Sequence, residues 1–414
     1  MPGAGEILRL IRNRRASTRR DIAEASGLAR STVSQRVDML LERGFIVPAS
    51  SSVSTGGRPP TVLMFNANAG VVLAAALGVS HSRLAVTDLS SNVLADSAHD
   101  LPIAVGPEEF LPWLADRFDE LLAQAGRAPA EVRAIGVGVP GPVEFATGTP
   151  VRPPIMPGWD GYPVGTWLGK RYGVPALVDN DVNVIALGEY SQNWADVDHI
   201  AVVKVGTGIG LGLVADRHIF RGALGAAGDI GHIHVMRASD AICSCGNTGC
   251  LEAVAGGHAL AAQLRGSGTP AETARDVVAL VAAGHPEATR LVRDAGREIG
   301  AVLAAVVNLV NPSVVVVTGD LAEAGEHLLA GVREAIYRRS TVLATHSLRI
   351  VRGAAGDHGG VIGASVLAIE HLLSAEVIDG LLASVAEPAG DAAGARTSGH
   401  IGREGERRQA APHR

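Results

Sequence analysis

All three cysteines of this 414-residue chain fall within one short run, Cys243-Ser244-Cys245-Gly246-Asn247-Thr248-Gly249-Cys250, and His232 and His234 stand just upstream. A tetrahedral Zn2+ takes four nitrogen or sulfur ligands. Cys-x-Cys-x4-Cys, with Gly246 and Gly249 inside it, turns tightly enough to aim three thiolates at one point. An upstream imidazole closes such a structural site; His232 is the expected fourth ligand and His234 the alternative. The plainer explanation, three reduced cysteines in a glycine-rich turn, leaves their clustering unaccounted for. A metal at this point dictates how the whole stretch 225–252 folds.

The same stretch carries Asp229 before His232 and Glu252 after Cys250. Pinned together by a metal-held loop, these carboxylates and the imidazole make a cluster of polar groups suited to the hydroxyls of a sugar. Composition adds that 47% of the residues are hydrophobic, only 3% are aromatic and 51 are glycine, which argues for a globular α/β protein built from Ala, Val and Leu. At this length one core does not suffice, so two or three domains are expected. The longest apolar run, Val71 to Val79, is far short of the roughly 20 residues of a membrane helix. The start, Met-Pro-Gly-Ala-Gly-Glu, lacks the pattern of a signal peptide. The expected location is therefore the cytoplasm, where cysteines stay reduced.

Charge is unevenly spread. The net charge is −6, yet residues 1–60 hold ten arginines, no lysine and five acids, a balance of +5 that leaves −11 for the remainder. A basic head on an acidic body suggests a nucleic-acid module joined to something else. In the head, Ile7, Leu8, Leu10 and Ile11 mark a first amphipathic helix. Thr18 with Asp21 three residues on starts a second, Gly27 turns the chain, and Val33 and Val37 stripe a third that runs to about Arg43. This is helix-turn-helix spacing. The third helix would enter the major groove, with Ser31, Thr32, Gln35 and Arg36 at base edges and Arg30 and Ser34 near bases or phosphate. Two short strands around Gly56-Gly57 predict a wing with Arg58 at its tip, so that residues 1–65 form a winged helix-turn-helix domain that binds double-stranded operator DNA.

Beyond the head, strands are expected at Val71–Val79, Arg83–Leu89, Val132–Val139, Pro175–Val178, Ile200–Val205 and Val314–Val317, with helices over Pro107–Ala125, 286–310 and Ser365–Leu373. Glycine-bearing loops follow two of the strands, Pro140-Gly141-Pro142-Val143 and Gly206-Thr207-Gly208-Ile209-Gly210-Leu211-Gly212. The second is either a phosphate loop or a tight hairpin between sheet strands. Asp179-Asn180-Asp181-Val182-Asn183 ends another strand, where a carboxylate serves equally as a general base, as an acceptor for a bound hydroxyl, or as part of a helix cap.

The run Ala226-Ala227-Gly228-Asp229-Ile230-Gly231-His232, followed by Cys243-x-Cys245-Gly246-x-x-x-Cys250-x-Glu252, resembles the signature of the ROK family of sugar kinases and sugar-responsive transcriptional repressors. With the winged helix, the resemblance is to its regulators of the xylose and N-acetylglucosamine repressor type, and it covers about residues 65–375. It implies a two-lobed actin-like, ribonuclease H-like α/β fold over residues 66–375, with a sugar in the cleft near Gly141, Asn180, Asp181, Asp229, His232 and Glu252. In the family's kinases the position of Asp181 is the base that takes the proton of the sugar hydroxyl, and Asn180 holds a neighbouring hydroxyl.

Departures from the kinase pattern are as informative. Ala76 stands where the resemblance places an Asp that handles metal and nucleotide, and Val79 stands where it places a glycine. Both remove what phosphoryl transfer needs, a charge to organise Mg2+ and room for backbone N–H groups near phosphate. Ile155 replaces an Asn, Asp229 a longer Glu, and Asp320 a glycine on the adenosine side. The resulting expectation is a sugar-sensing repressor of carbohydrate genes, acting as a homodimer on paired half-sites, with Zn2+ on His232, Cys243, Cys245 and Cys250 and Asp181 as a vestigial base. The alternative is an active ATP-dependent sugar kinase with a regulatory DNA-binding head. Residues 376–414, rich in Ala, Gly, Arg and Glu, read as a disordered tail.

Overall fold

A computed structural model of the chain describes residues 3–49, 61–236 and 240–383. The head consists of helices Ala4–Arg12, Arg19–Ser26 and Arg30–Glu42, followed by strands Ile46–Pro48 and Leu63–Phe65, which pair antiparallel with Ile46 opposite Phe65. Its second helix starts on a capping box. Thr18 Oγ1 accepts from the Asp21 N–H, and Asp21 Oδ2 accepts from the Thr18 N–H at 3.0 Å. Gly27, at φ 69°, stops that helix in the left-handed conformation that a side chain would strain. Ile22, Val33, Val37 and Leu40 are fully buried and hold the second and third helices against the first. The wing's strands are therefore seen, while Arg58 and the expected tip lie outside the described residues.

The body holds two five-stranded sheets with one shared plan. In the first, the order is Val93–His99, Ser82–Asp88, Val71–Leu77, Val132–Val139, Ala176–Asn180; the first three strands run antiparallel and the last two join in parallel. The second repeats this with His218–Ile219, Ile209–Ala215, Ile200–Val205, Val314–Thr318 and Arg349–Arg352. The central strands are valine- and alanine-rich because they are covered on both faces. This duplication is the two-lobed actin-like arrangement, with the cleft between the carboxyl ends of the two sets of strands.

Helices Asp181–Asn193 and Gly359–Leu372 cross between the sheets. They approach at backbone distance because glycines meet there: a Cβ on Gly363 would lie 1.7 Å from the Val184 carbonyl oxygen, and one on Gly188 would lie 1.9 Å from that of Gly359. On the far side of the second sheet, the long helix Pro286–Val310 packs along Glu326–Arg339.

The chain's end corrects the expectation of a disordered tail from residue 376. Ala375–Ala383 is a helix, with Ile378 and Leu382 buried against the first helix of the head. Head, C-terminal helix and first lobe share one apolar cluster that includes Ile7, Ile11, Leu89, Ile369, Leu372 and Ile378. The final body helix also starts six residues earlier than expected, at Gly359, since its glycines are points of close packing, Gly360 on Ala76 of a first-sheet strand and Gly363 on the helix Asp181–Asn193, and not a break in it. Among the described residues no single helix is long and apolar enough to cross a membrane.

Candidate functional site

A cleft of about 570 Å3 runs between the lobes. Residues from both sheets and their loops line it, among them Ala76, Gly78, Asp229, His232 and Glu252. Gly141, Asn180 and Asp181 line the same cleft.

A ring nitrogen of His232 and the Sγ atoms of Cys243, Cys245 and Cys250 form a group whose donor atoms all lie within 4.8 Å of one another. The sulfurs of Cys245 and Cys250 are 3.8 Å apart, so the three cysteines are free thiols. Burial pushes the Cys250 thiol up to about 12, and its hydrogen-bonded neighbours Cys245 and Cys243 add to the shift. Crowded sulfurs that resist ionising together are what a bound cation relieves, because it accepts several thiolates at once. One nitrogen and three sulfurs suit a closed tetrahedral site, and among the described residues this group could hold a metal ion. His234 is not part of it; its ring packs on Gly249, where a Cβ would come within 2.3 Å.

His232 faces two ways. Nδ1 lies 3.5 Å from Cys243 Sγ, while Nε2 is 3.8 Å from Asp229 Oδ1. Glu252 also joins the thiol loop to the cleft. Its Oε2 accepts the Ile209 N–H at 3.0 Å, at the start of a second-sheet strand, and its Oε1 accepts from Ser244 Oγ at 3.4 Å.

Asn180 takes the cap role that its sequence left open. Its Oδ1 accepts the Val182 N–H at 2.9 Å, and its Nδ2 donates to the Gly141 carbonyl at 2.8 Å. An amide has a second lone pair and a second N–H, so one acceptor and one donor position remain for a ligand. Asp181 is 8% exposed and ion-paired through Oδ2 to Lys204. Two residues earlier, Asp179 is 1% exposed and paired to Arg221. Lys204 and Arg221 were missed in the sequence. A signal for Lys204 existed, since Lys170 and Lys204 are the only lysines among 36 basic residues and Lys204 interrupts an otherwise apolar strand.

Ala76 packs so closely on Gly360 that a Cβ there would come within 2.6 Å of its own. Asp320 does add a carboxylate, and Arg275 meets it at 3.3 Å. Ile155 packs partly buried against the first-lobe core. The loop 206–208 is a tight hairpin: the Gly206 N–H donates to the Gly208 carbonyl at 3.0 Å, and strands Ile200–Val205 and Ile209–Ala215 pair antiparallel around it.

In the head, Arg30, Ser31 and Gln35 are exposed on the third helix, and Thr32, Ser34 and Arg36 are half-buried. Arg19 fixes that helix against the second, donating to the Ser34 carbonyl at 2.9 Å and pairing with Asp38 at 2.6 Å.

Residues 72–371 match the model of the ROK family, and residues 5–47 match a winged helix-turn-helix DNA-binding model. The chain belongs to the ROK family. It is similar to the xylose repressor of Caldicellulosiruptor bescii, 28% identical over 382 residues that cover 89% of this chain and 95% of that protein. A crystal structure of a ROK family transcriptional regulator, a homologue of the E. coli MLC protein, superposes with a TM-score of 0.79 at 26% identity, covering 92% of this chain and 98% of that one. The ROK hexokinase of Thermus thermophilus reaches a TM-score of 0.62 at 31% identity, covering 73% of this chain and 99% of the kinase. The full arrangement of head and body is thus that of the family's transcriptional regulators, and the body alone is also that of its sugar kinases.

Proposed function

We propose that this ROK protein is a DNA-binding repressor of carbohydrate genes whose kinase-like body binds a sugar and does not phosphorylate it. The observation that carries this reading is the pairing, in one chain, of a winged helix-turn-helix head with a kinase-like cleft; Ala76, which lines that cleft where the resemblance to the family's kinases places a carboxylate, supports it. The third head helix, through Arg30, Ser31, Thr32, Ser34, Gln35 and Arg36, reads operator DNA in the major groove, and Arg58 reaches phosphate or the minor groove. Two copies of the chain present two such helices to successive half-sites, and this happens where the chromosome is, in the cytoplasm.

The sugar hydroxyls lie against Gly141, Asn180, Asp181, Asp229, His232 and Glu252. The donor set of His232, Cys243, Cys245 and Cys250 fits Zn2+, which when bound supplies a fixed fold for the loop and no step of a reaction. His232 then transmits that rigidity to the sugar side, because one of its nitrogens faces the thiols and the other faces Asp229. A sugar changes DNA binding to the extent that it prefers one arrangement of the lobes.

The test is fluorescence anisotropy of the protein on DNA from beside its own coding region, at fixed salt, with and without D-xylose, D-glucose or N-acetylglucosamine. Tight binding that one sugar abolishes is the expected result, and no binding to any such DNA would overturn the reading. Asp181 at the base position favours a second reading, an active sugar kinase. ATP-dependent turnover of one of these sugars in a coupled assay would establish it.

A further inference from the structure

Two carboxylates flank Asn180, and each is held by a cation from the opposite sheet. Asp179 Oδ2 takes Arg221 Nε at 2.7 Å, and Asp181 Oδ2 takes Lys204 Nζ. Asp179 lies in the first sheet's strand Ala176–Asn180, and Asp181 opens the helix that follows it. Lys204 belongs to strand Ile200–Val205 of the second sheet, and Arg221 follows that sheet's edge strand His218–Ile219.

Both cations are built in. Lys204 sits among the buried Val202, Val203 and Val205, and an ammonium there costs desolvation unless it is paired. The compact lysine is used in a chain that otherwise prefers arginine almost everywhere. Arg221 lies 3.8 Å from the ring centre of Phe145, so its guanidinium is stacked on one face and bonded at its edge. The loop that carries Arg221 is seated on the first lobe, since a Cβ on Gly225 would fall 2.3 Å from the Val143 carbonyl. The other oxygen of Asp179 accepts from the Asn180 N–H and from Asn183 Nδ2, each at 2.8 Å.

We propose that Lys204 and Arg221 are positioning residues for effector binding, a two-cation clamp given by the second lobe that orients Asn180 and Asp181 on the first. The proposal rests on reading the cleft as a sugar site, and it adds the contact through which that site distinguishes one lobe arrangement from another. With Lys204 on Oδ2, Asp181 is a fixed acceptor whose Oδ1 is left for a sugar hydroxyl. A sugar that bonds to this turn binds best while both ion pairs are made. That difference in affinity is what shifts a lobe equilibrium.

The experiment is titration calorimetry of the full-length protein with D-xylose, D-glucose and N-acetylglucosamine, using wild type, Lys204→Met, Asp181→Asn and the double variant. Lys204→Met is expected to weaken the sugar that wild type binds by about tenfold or more. The double variant is expected to bind no worse than Asp181→Asn alone, because Lys204 acts through Asp181. Losses that simply add would make Lys204 a structural residue and overturn the clamp. Should Lys204→Met fail to fold, Arg221→Lys keeps the charge while losing the stacked fork, and it is expected to lose affinity severalfold with little change in melting; affinity equal to wild type would overturn the clamp. If wild type binds none of the three sugars, the sugar reading itself is overturned and the clamp falls with it. If wild type binds and the variants bind equally, the clamp alone falls.

Discussion

The Gly5 backbone N–H donates to Asp379 Oδ1 at 2.9 Å, so a carboxylate 374 residues away caps the first helix of the chain. Helix Ala4–Arg12 has Gly3 at its N-cap and no side chain of its own for that task. A Cβ on Gly5 would lie 2.4 Å from the Ala375 Cα, which is why glycine stands where the two helices touch. Asp379→Ala removes both the cap and a negative charge at the positive end of a helix dipole, so it should cost about 1 kcal/mol. The check is the urea midpoint of the full-length protein, together with its DNA affinity. A drop in DNA affinity alongside the midpoint would show that the C-terminal helix helps to set the head.

The crossing of helices Asp181–Asn193 and Gly359–Leu372 gives a steeper prediction. Gly363→Ala puts a methyl 1.7 Å from the Val184 carbonyl oxygen, and neither backbone has a flexible end to yield. The loss should be about 3 kcal/mol or more, as for overpacked cores. Gly380→Ala is the control: it also lies in a helix, nothing stands within 4 Å of its Cβ, and alanine there should stabilise by up to about 1 kcal/mol. Thermal melts of the two variants, run side by side, should move in opposite directions.

Features written locally in the sequence were legible, and features made by distant pairing were not. Thr18 and Asp21 spell a capping box within one turn, the strand Val314–Thr318 is nearly all valine, and three cysteines within eight positions leave few geometries for their ligands. Asp181 and Lys204 are 23 residues apart, and Asp179 and Arg221 are 42 apart, so no period or spacing connects them before two sheets fold against one cleft. The two-lobed plan was legible from the paired strands with their glycine loops and from the family resemblance, although the two halves share topology without sharing a residue repeat. The helix Ala375–Ala383 was obscured by composition, as its Ala and Gly match those of the residues beyond it. Its real signal was Ile378 and Leu382, one helical turn apart and both buried.

If the third head helix reads DNA as proposed, Arg36 is the side chain whose loss should be visible in sequence preference. It lies two turns into the third helix, past the buried Val33 that seats this helix on the second. A bidentate arginine contact to a base edge is worth about 1–3 kcal/mol of discrimination, whereas a phosphate contact carries none. Arg36→Ala should therefore narrow the gap between operator and scrambled DNA, while Arg30→Ala should weaken both more evenly and flatten the salt dependence. Anisotropy titrations at two salt concentrations separate these outcomes.

Metal removal should reach the cleft through His232. One imidazole lies 3.5 Å from Cys243 Sγ by its Nδ1 and 3.8 Å from Asp229 by its Nε2, so freeing the first nitrogen releases the second. Elemental analysis of the purified protein should find about one Zn2+ per chain, as a closed four-ligand site requires. Cys245→Ser should lower that content and weaken sugar binding, yet the head, whose core of Ile7, Ile22, Val37 and Leu40 shares no residue with the thiol loop, should keep its affinity for DNA. Chelation of wild type should reproduce the same split and addition of Zn2+ should reverse it, since the ligands are free thiols that can be reloaded. Unchanged sugar affinity in the metal-free protein would mean that the metal holds its loop without organising Asp229 and His232 for the ligand.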